Sequence, residues 1–214
     1  MHKSIIIRRS KFFATAASER WQRNSSLETI ELPEDDPDIF DIYLHCIYSN
    51  AMDVGDPEEY LQGETSDMSA QQTVFYRTAK TYMLADKLGD VMAANICLNS
   101  MIRHSSTIHV LPTGHTIELV FNETMETSLL RRMIVDLFVF EAHIDAIKTV
   151  TQDPRIPRAF LCAVLEKKAK LENECADMVV CEVFAMGLVE NQRCLYHQHD
   201  ETHPSCVGWP DGYC

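Results

Sequence analysis

Apolar and polar positions follow a strand-like pattern at Ile30 and then change to a helical period. Ile30 and Leu32 lie two positions apart, as apolar residues do on one face of a short strand. After Pro33 the apolar residues recur every four positions in two parallel series, Ile39, Tyr43, Ile47 and Phe40, Leu44, Tyr48. This spacing places a wide apolar stripe along one side of a helix. The pattern predicts a strand over Glu28–Leu32 followed by a helix over Asp36–Ser49.

Capping residues indicate where several helices begin and end. Asp35 and Asp36 can accept hydrogen bonds from the first backbone N–H groups of the helix, and Pro37 suits its first turn. Gly89 is predicted to end a later helix with a left-handed cap. Asp90 can cap the helix that follows at once. With almost no loop between them, these two helices are expected to pack as a hairpin-like pair.

Most of the remaining chain has helical spacing of apolar residues, interrupted by Pro and Gly. The further predicted helices are Ser4–Phe13, one from Thr73, one from Val91, His115–Asn122, Leu129–Ala142 and one that opens at Pro154 and Pro157. Residues 50–72 contain Gly, Pro, several acids and few large apolar side chains, so they are predicted to be a long disordered loop. Charged side chains beside the apolar stripes are expected to face solvent. They include Arg131, Arg132, Lys167, Lys168 and Lys170.

The composition is that of a folded protein with a strong acidic excess. The 214 residues suit one domain, or one domain with an appendage, and apolar residues make up 46%. The chain has 32 acids against 19 Lys and Arg, a formal charge of −13, which disfavours binding to nucleic acids or to anionic membranes. No apolar run approaches the roughly 20 residues that span a bilayer, and the start lacks a signal-peptide core. We therefore expect an intracellular protein, cytoplasmic or nuclear.

The eight cysteines fall into two groups. Cys46, Cys97 and Cys162 lie in apolar helical patterns and are expected to be buried free thiols. The other five are crowded between Cys175 and Cys214. Without a secretory signal, no disulfide framework is expected.

The tail of the chain is rich in cysteine and histidine. Two thiols and three imidazoles fall within thirteen residues, namely Cys194, His197, His199, His203 and Cys206. Thiolate and imidazole are zinc ligands, so Cys194, His197 and Cys206 with either other histidine could close a tetrahedral site. Such a site would couple zinc binding to local folding and not to catalysis. The alternative is a flexible tail that binds no metal, because the spacing matches no established zinc finger.

Sequence motifs of catalysis are missing. The chain contains neither the nucleophile motif G-x-S-x-G nor the phosphate-binding motifs G-x-x-x-x-G-K-[ST] and G-x-G-x-x-G. His45 and Cys46 are neighbours on a predicted helix and point in different directions, which makes them a poor nucleophile–base pair. We expect no enzymatic activity, and no cofactor other than the zinc considered for the tail.

Three blocks of sequence, taken in order and at their spacing, resemble the BTB/POZ domain in the divergent form of filamentous fungi. The first is His2–Lys3 with Arg9–Phe13. The second is Ile30–Pro37 with Phe40 and Cys46–Tyr48. The third is Tyr82–Gly89 with Asn95. In these fungal proteins a helical extension follows the domain. Two later stretches resemble it, Phe121–Thr124 and Leu130–Asp136.

The resemblance implies an α+β fold that is mostly helical, with a BTB/POZ-like helical cluster, a reduced small sheet and a helical extension. The implied parts are residues 1–105 for the BTB/POZ-like domain with its 50–72 loop, residues 106–191 for the extension, and residues 192–214 for the Cys/His-rich tail. The sequence begins at the family's opening helix. We therefore expect the strands that usually precede this helix to be missing, as in an N-terminally truncated domain.

The function that the resemblance implies is that of a protein–protein interaction scaffold. Such domains form homodimers and heterodimers, and some act as adaptors that connect substrates to a cullin-type ubiquitin-ligase scaffold. The expected partners are therefore proteins, including a second copy of this chain or a cullin-type scaffold. The alternative is a zinc-stabilised helical module with a Cys/His tail and no BTB-type assembly. Five aromatic residues are expected to plug the scaffold at element ends: Phe12, Phe13, Phe40, Tyr48 and Tyr82.

Overall fold

The computed structural model describes residues 3–18, 30–54, 69–174 and 193–199, and these are helical for most of their length. In chain order the helices are α1 (Lys3–Arg9), α2 (Lys11–Ala16), α3 (Pro37–Ser49), α4 (Ala70–Lys87), α5 (Val91–Ile108), α6 (Gly114–Glu123), α7 (Leu129–Glu141), α8 (Ile144–Gln152) and α9 (Arg158–Glu174), with a 3-10 turn at Arg193–Tyr196. No strand occurs in the described ranges. Ile30–Leu32 is irregular chain before α3, and Glu28 and Thr29 of the predicted strand lie outside those ranges. The mostly helical cluster predicted from the sequence is confirmed.

Helix ends lie where the capping residues predicted them. Asp36 accepts a hydrogen bond from the backbone N–H of Asp38 (3.0 Å) at the start of α3, and Pro37 is the first residue of that helix. Gly89 follows α4 with a φ of +65°, a left-handed conformation that glycine adopts without a Cβ clash. Asp90 accepts from the backbone N–H of Ala93 (2.9 Å) and caps α5. This short connection lets α4 and α5 pack against each other as predicted.

The core of the N-terminal part lies between α3, α4 and α5, which contact one another pairwise. The largest side chains buried there are Tyr43, Phe75, Tyr82, Leu88 and Leu98. Phe13 and Tyr82 are buried, as expected of plugs at element ends. Phe12 and Tyr48 instead remain 39% and 43% exposed. The prediction for these two was wrong, because each is the helical neighbour of a buried residue, Phe13 or Ile47, and adjacent residues on a helix point in different directions.

A second group of helices, α6, α7 and α9, packs beside this core. Helix α7 contacts α6 and α9, and α6 contacts α4. Phe160 of α9 is 1% exposed and packs against Phe121 and Phe138, with ring centroids 5.4 Å and 5.0 Å away in edge-to-face geometry. This aromatic cluster holds the three downstream helices together.

Several features differ from the sequence predictions. The single helix predicted over Ser4–Phe13 is two helices, α1 and α2, because Ser10 adopts an extended conformation and caps α2. Helix α4 begins at Ala70, so residues 70–72 are helical and do not belong to the predicted 50–72 loop, of which residues 55–68 lie outside the described ranges. Helix α8 was not predicted, although its apolar residues Ile144, Ile147 and Val150 have helical spacing. Cys46 and Cys97 are buried as expected, whereas Cys162 is exposed. Cys162 lies two positions from the buried Phe160, on another side of α9.

Candidate functional site

The carboxylate of Asp90 is the centre of a buried polar junction between α1, α3 and α5. It is 1% exposed and, besides capping α5, accepts hydrogen bonds from Arg9 Nε (3.2 Å) and Tyr43 Oη (3.2 Å). Burial raises the pKa of Tyr43, and the nearby charge of Asp90 adds to the effect, so the phenol stays protonated and donates. Arg9 also donates to the side-chain oxygen of Asn50 (3.0 Å). These contacts join scaffold elements, and we assign the junction a structural role.

Backbone hydrogen bonds attach the corner between α1 and α2 to the turn between α4 and α5. Ser10 Oγ donates to the backbone carbonyl of Leu88 (2.6 Å), and the backbone N–H of Phe12 donates to the same oxygen (3.1 Å). Ser10 Oγ also accepts from the N–H of Phe13 (3.2 Å) and so caps α2. These residues belong to the first block of the family resemblance. Their contacts are those of a scaffold, so the candidate site lies elsewhere.

An open cleft of about 820 Å³ lies between the N-terminal core and the downstream helices. Its walls come from the connection before α3, from α4, from α6 and from the connection between α6 and α7. The apolar part of the lining includes Ile39, Met83, Leu84, Leu119 and Leu129. Met125 also lines the cleft and is 81% exposed. A concave surface with an apolar lining is typical of a site that binds a ligand or a partner segment.

Carboxylates outnumber ammonium groups in this cleft. The ammonium groups are those of Lys80 and Lys87, and the carboxylates are those of Glu34, Asp35, Asp36, Asp86 and Glu123. Lys87 Nζ lies 2.9 Å from Asp35 Oδ1, and Lys80 Nζ lies 3.6 Å from Asp36 Oδ2. Exposed ion pairs of this kind contribute only about 0–1 kcal/mol each. With both lysines next to carboxylates, the lining keeps a net negative charge.

Residues 193–199 lie against α5 and α7. Tyr196 is 2% exposed, and its hydroxyl donates to Asp136 Oδ2 of α7 (2.8 Å). Burial raises the pKa of Tyr196, and the charge of Asp136 adds to this, so the hydroxyl remains a donor. The guanidinium of Arg132 lies over the Tyr196 ring, 5.8 Å from its centroid. Lys167 pairs with Asp136, which corrects the expectation that Lys167 faces only solvent.

Asn95 and Asn99, one turn apart on α5, hold the next two residues of this segment. Asn95 Oδ1 accepts from the backbone N–H of Gln198 (2.9 Å), and Asn95 Nδ2 donates to the backbone carbonyl of Gln198 (2.8 Å). Asn99 Oδ1 lies 2.8 Å from Nε2 of His197. The side chain of Gln198 donates to Asp86 (3.2 Å) and forms part of the cleft lining. The docked segment and the cleft therefore meet at Gln198.

The structure describes the predicted zinc ligands only in part. The rings of His197 and His199 have their centroids 6.2 Å apart, and His197 is buried against Asn99. The side chain of Cys194 and the whole of His203 and Cys206 lie outside the described residues. In the part of the chain that is described, no three or more potential ligands are grouped to hold a metal ion. The zinc site stays a prediction.

The sequence patterns do not mark the groups that hold this segment. Asn95 and Asn99 lie among the apolar positions of α5, Asp136 lies among those of α7, and each is less than 5% exposed. A polar residue at such a position is a usable signal, because a buried amide or carboxylate needs a hydrogen-bonding partner. The partner itself could not be found this way, because Gln198 lies 103 residues from Asn95 along the chain.

Comparison with known proteins supports the family resemblance in the N-terminal part of the chain. A family model described as BTB/POZ domain matches residues 1–71 of the 214. This match contains the first two blocks of the resemblance and helices α1, α2 and α3. The third block, residues 82–89, and the predicted boundary at residue 105 lie beyond it and stay predictions. No curated protein and no solved structure matches the chain.

Proposed function

We propose that the chain is a protein-interaction module that binds a partner at the cleft. The proposal rests on the match of residues 1–71 to the BTB/POZ domain, a class of domain that mediates contacts between proteins. The position of the cleft carries the proposal. Its lining combines Glu34–Ile39 of the matched region with residues of α6 and of the α6–α7 connection. A partner held there would contact both parts of the molecule at once. BTB/POZ domains are interaction domains, and we propose no reaction for this site.

The chemistry of the cleft determines which partner fits it. Leu119, Leu129 and Met125 offer apolar surface for one or two apolar side chains of a partner. The carboxylates around them attract Lys and Arg and repel acidic segments. The formal charge of −13 on the whole chain would also steer a basic partner toward it before contact. We infer a partner segment in which apolar residues are flanked by basic ones.

Selection from a library of random peptides tests this inference directly. The wild-type chain serves as bait, and binding of each selected peptide is then measured for two variants. In the first, Glu34→Lys/Glu123→Lys, two exposed carboxylates of the cleft are reversed. In the second, Glu166→Lys/Glu172→Lys, the same charge change is made at exposed positions of α9 that do not line the cleft. The two variants have equal net charge, so they separate the local effect from the overall one.

We expect the selected peptides to be basic and apolar and to lose affinity for the cleft variant by at least about tenfold, or about 1.4 kcal/mol. The α9 variant should lose much less, because its changed charges lie away from the bound peptide. A Met125→Ser variant should weaken the same peptides, because it removes apolar surface from the cleft without changing its charge. Peptides that bind the cleft variant and the α9 variant equally well would contradict the proposal.

Self-association and attachment to a cullin-type scaffold are narrower forms of the same proposal. Ile30 and Tyr48 lie in the matched region and are 42% and 43% exposed, so a second copy could bury apolar surface there. Light scattering over a range of protein concentrations measures this directly, with Ile30→Asp/Tyr48→Asp as the matched variant. A constant monomer mass would contradict self-association.

Binding to a purified cullin-type scaffold, measured with the same variants, tests the adaptor form.

A further inference from the structure

The contacts made by residues 196–198 resemble those by which a protein recognises an extended peptide. One side chain of α5, Asn95, donates to and accepts from the backbone of Gln198, as a neighbouring strand would. Two further groups contact side chains, since Asp136 accepts from the Tyr196 hydroxyl and Asn99 contacts His197. Backbone contacts of this kind give affinity, and side-chain contacts give selectivity.

We propose that α5 and α7 form a peptide-binding site for a Tyr-His-Gln segment. The chain's own residues 196–198 occupy this site in the folded protein, and the same motif presented by a second molecule binds there when the internal copy leaves. Asn95, Asn99 and Asp136 do not line the cleft, and Gln198 of the docked segment is the residue that the two sites share.

The residues of this site are held in place by elements that the tail does not build. Asn95 and Asn99 are 0% and 4% exposed and lie on α5, which is capped by Asp90 and packed against α3 and α4. Asp136 lies on α7, which packs against α6 and α9, and it also pairs with Lys167. The polar groups are therefore oriented before a peptide arrives, which lowers the entropic cost of binding.

The hydrogen bonds of the contact suit exchange with a competing ligand. The segment buries Tyr196 and His197, leaves Leu195 48% exposed and is held through hydrogen bonds of two amides and a carboxylate. Permanent interfaces are mainly apolar, whereas polar ones suit exchange with water and with competing ligands. If the internal segment leaves, water can satisfy Asn95, Asn99 and Asp136, so the empty site does not leave buried polar groups without partners.

The tether to the internal copy determines how strongly a second molecule can compete. Residues 175–192 connect α9 to the 3-10 turn, a length of chain that can span at most roughly 60 Å. A segment tethered in this way competes at an effective concentration on the order of millimolar. A free peptide should therefore bind the wild-type chain weakly, and it should bind well once the internal copy is disabled.

This difference can be measured on the full chain by fluorescence anisotropy. The probe is a labelled peptide with the sequence of residues 193–199 in which Cys194→Ser prevents oxidation. The receptors are the wild-type chain and a tail-disabled variant, Tyr196→Ala/Gln198→Pro, in which proline removes the N–H that Asn95 accepts. A control peptide carries the same Gln198→Pro change, so it alters the ligand and leaves the receptor unchanged. If the double variant does not fold by circular dichroism, Gln198→Pro alone replaces it.

We expect the probe to bind the tail-disabled variant at least about tenfold more tightly than the wild-type chain, because the internal competitor is gone. The control peptide should bind that variant at least about tenfold more weakly than the probe. Adding Asn95→Ala to the tail-disabled variant should remove the preference for the probe. Equal affinity of the probe for both receptors, equal affinity of the two peptides, or no binding to the folded variant would each overturn the proposal. The peptide-library experiment tests the cleft separately, with variants that leave Gln198 and the docked segment unchanged.

Discussion

At the scale of single residues, Asp90 does more for the scaffold than its sequence position suggests. Its carboxylate caps α5, pairs with Arg9 and accepts from Tyr43, so it joins three helices through one group. Asp90→Ala would remove the cap and leave Arg9 charged with its side chain only 9% exposed. We expect this change to lower the free energy of unfolding by about 3–5 kcal/mol, measured by urea denaturation.

Two further variants distinguish the charge from the cap at this position. Asp90→Asn keeps the oxygen that caps α5 and accepts from Arg9, and replaces only the oxygen that accepts from Tyr43, so it should cost clearly less than Asp90→Ala. Asp36→Ala removes a cap from an exposed helix end and should cost only about 1 kcal/mol. If Asp90→Ala proved no worse than Asp36→Ala, the structural role assigned to the buried junction would be wrong.

His104 makes the stability of the fold depend on pH. It lies on α5 with its ring against Phe75 of α4, at 4.9 Å between centroids, and its Nε2 is buried without a hydrogen-bond partner in the described chain. Burial lowers the pKa of His104 below its ordinary value of 6.5, because the charged ring would lose its hydration. The neutral form is thus favoured in the folded state. The stability that this shift contributes is complete above pH 6.5, the pKa of the unfolded state. It is lost as the pH falls through the lowered pKa of His104 in the folded state.

We therefore expect the wild-type chain to lose free energy of unfolding between pH 7.5 and pH 5.5. A His104→Asn variant, which cannot titrate there, should lose less over the same interval. The measurement is urea denaturation of both proteins at several pH values. The comparison cancels the other histidines, since both proteins contain them. Parallel curves for the two proteins would show that His104 is not responsible.

At the scale of secondary-structure elements, the connection between α6 and α7 shows how one helix can cap another. Arg131 of α7 donates to the backbone carbonyls of Phe121 and Thr124 and to the hydroxyl of Thr124, and it lies over the Phe121 ring. A cation at the carboxyl end of α6 satisfies carbonyls that have no partner within the helix. The sequence prediction that Arg131 simply faces solvent was wrong. Helical periodicity shows which side of α7 is apolar, and it contains no information about a neighbouring helix end.

The same limit explains which elements could be predicted. Helices α3, α5 and α7 have broad apolar stripes. The predicted bounds of α3 and α7 and the predicted start of α5 agree with the structure to within one residue. Helix α8 buries only Val150 and leaves Ile144 and Ile147 63% and 37% exposed. Its apolar residues Ile144, Ile147 and Val150 nevertheless keep helical spacing, so the helix was detectable in the sequence, whereas its shallow packing was not.

At the scale of the whole molecule, the chain is acidic, and the cleft is acidic as well. The net charge of −13 disfavours polyanionic partners, and the carboxylates around Leu119 and Leu129 concentrate the same sign of charge at one concave site. No helix in the described ranges is long and apolar enough to cross a membrane. Protein partners with basic segments are the class that this charge distribution favours, in agreement with the function proposed for the cleft.

The predicted zinc site would tie the tail to itself through Cys194, His197, Cys206 and one of the other two histidines. If it exists, the full chain purified without chelator should contain one zinc ion per molecule by elemental analysis. Cys194→Ser/Cys206→Ser should lose the metal, because two of four ligands are gone. Cys162→Ser, which removes an exposed thiol outside the tail, should keep it. Wild-type protein without stoichiometric zinc would end this prediction.

The sequence by itself determined the features that depend on near neighbours along the chain. Helices with an apolar stripe every three to four residues, the caps at Asp36 and Asp90 and the left-handed turn at Gly89 all follow from interactions within a few residues. The BTB/POZ-like blocks before residue 71 are also local patterns, and the family match confirms them.

Only the tertiary structure decided which distant groups meet. Asn95 and Gln198 are 103 residues apart, and Tyr196 and Asp136 are 60 apart, yet each pair shares a hydrogen bond. Likewise, the cleft takes its lining from stretches as distant as Glu34 and Gln198. Such contacts arise because buried polar groups must find partners wherever packing brings them. The scaffold could therefore be predicted from its sequence, whereas its two candidate binding sites could not.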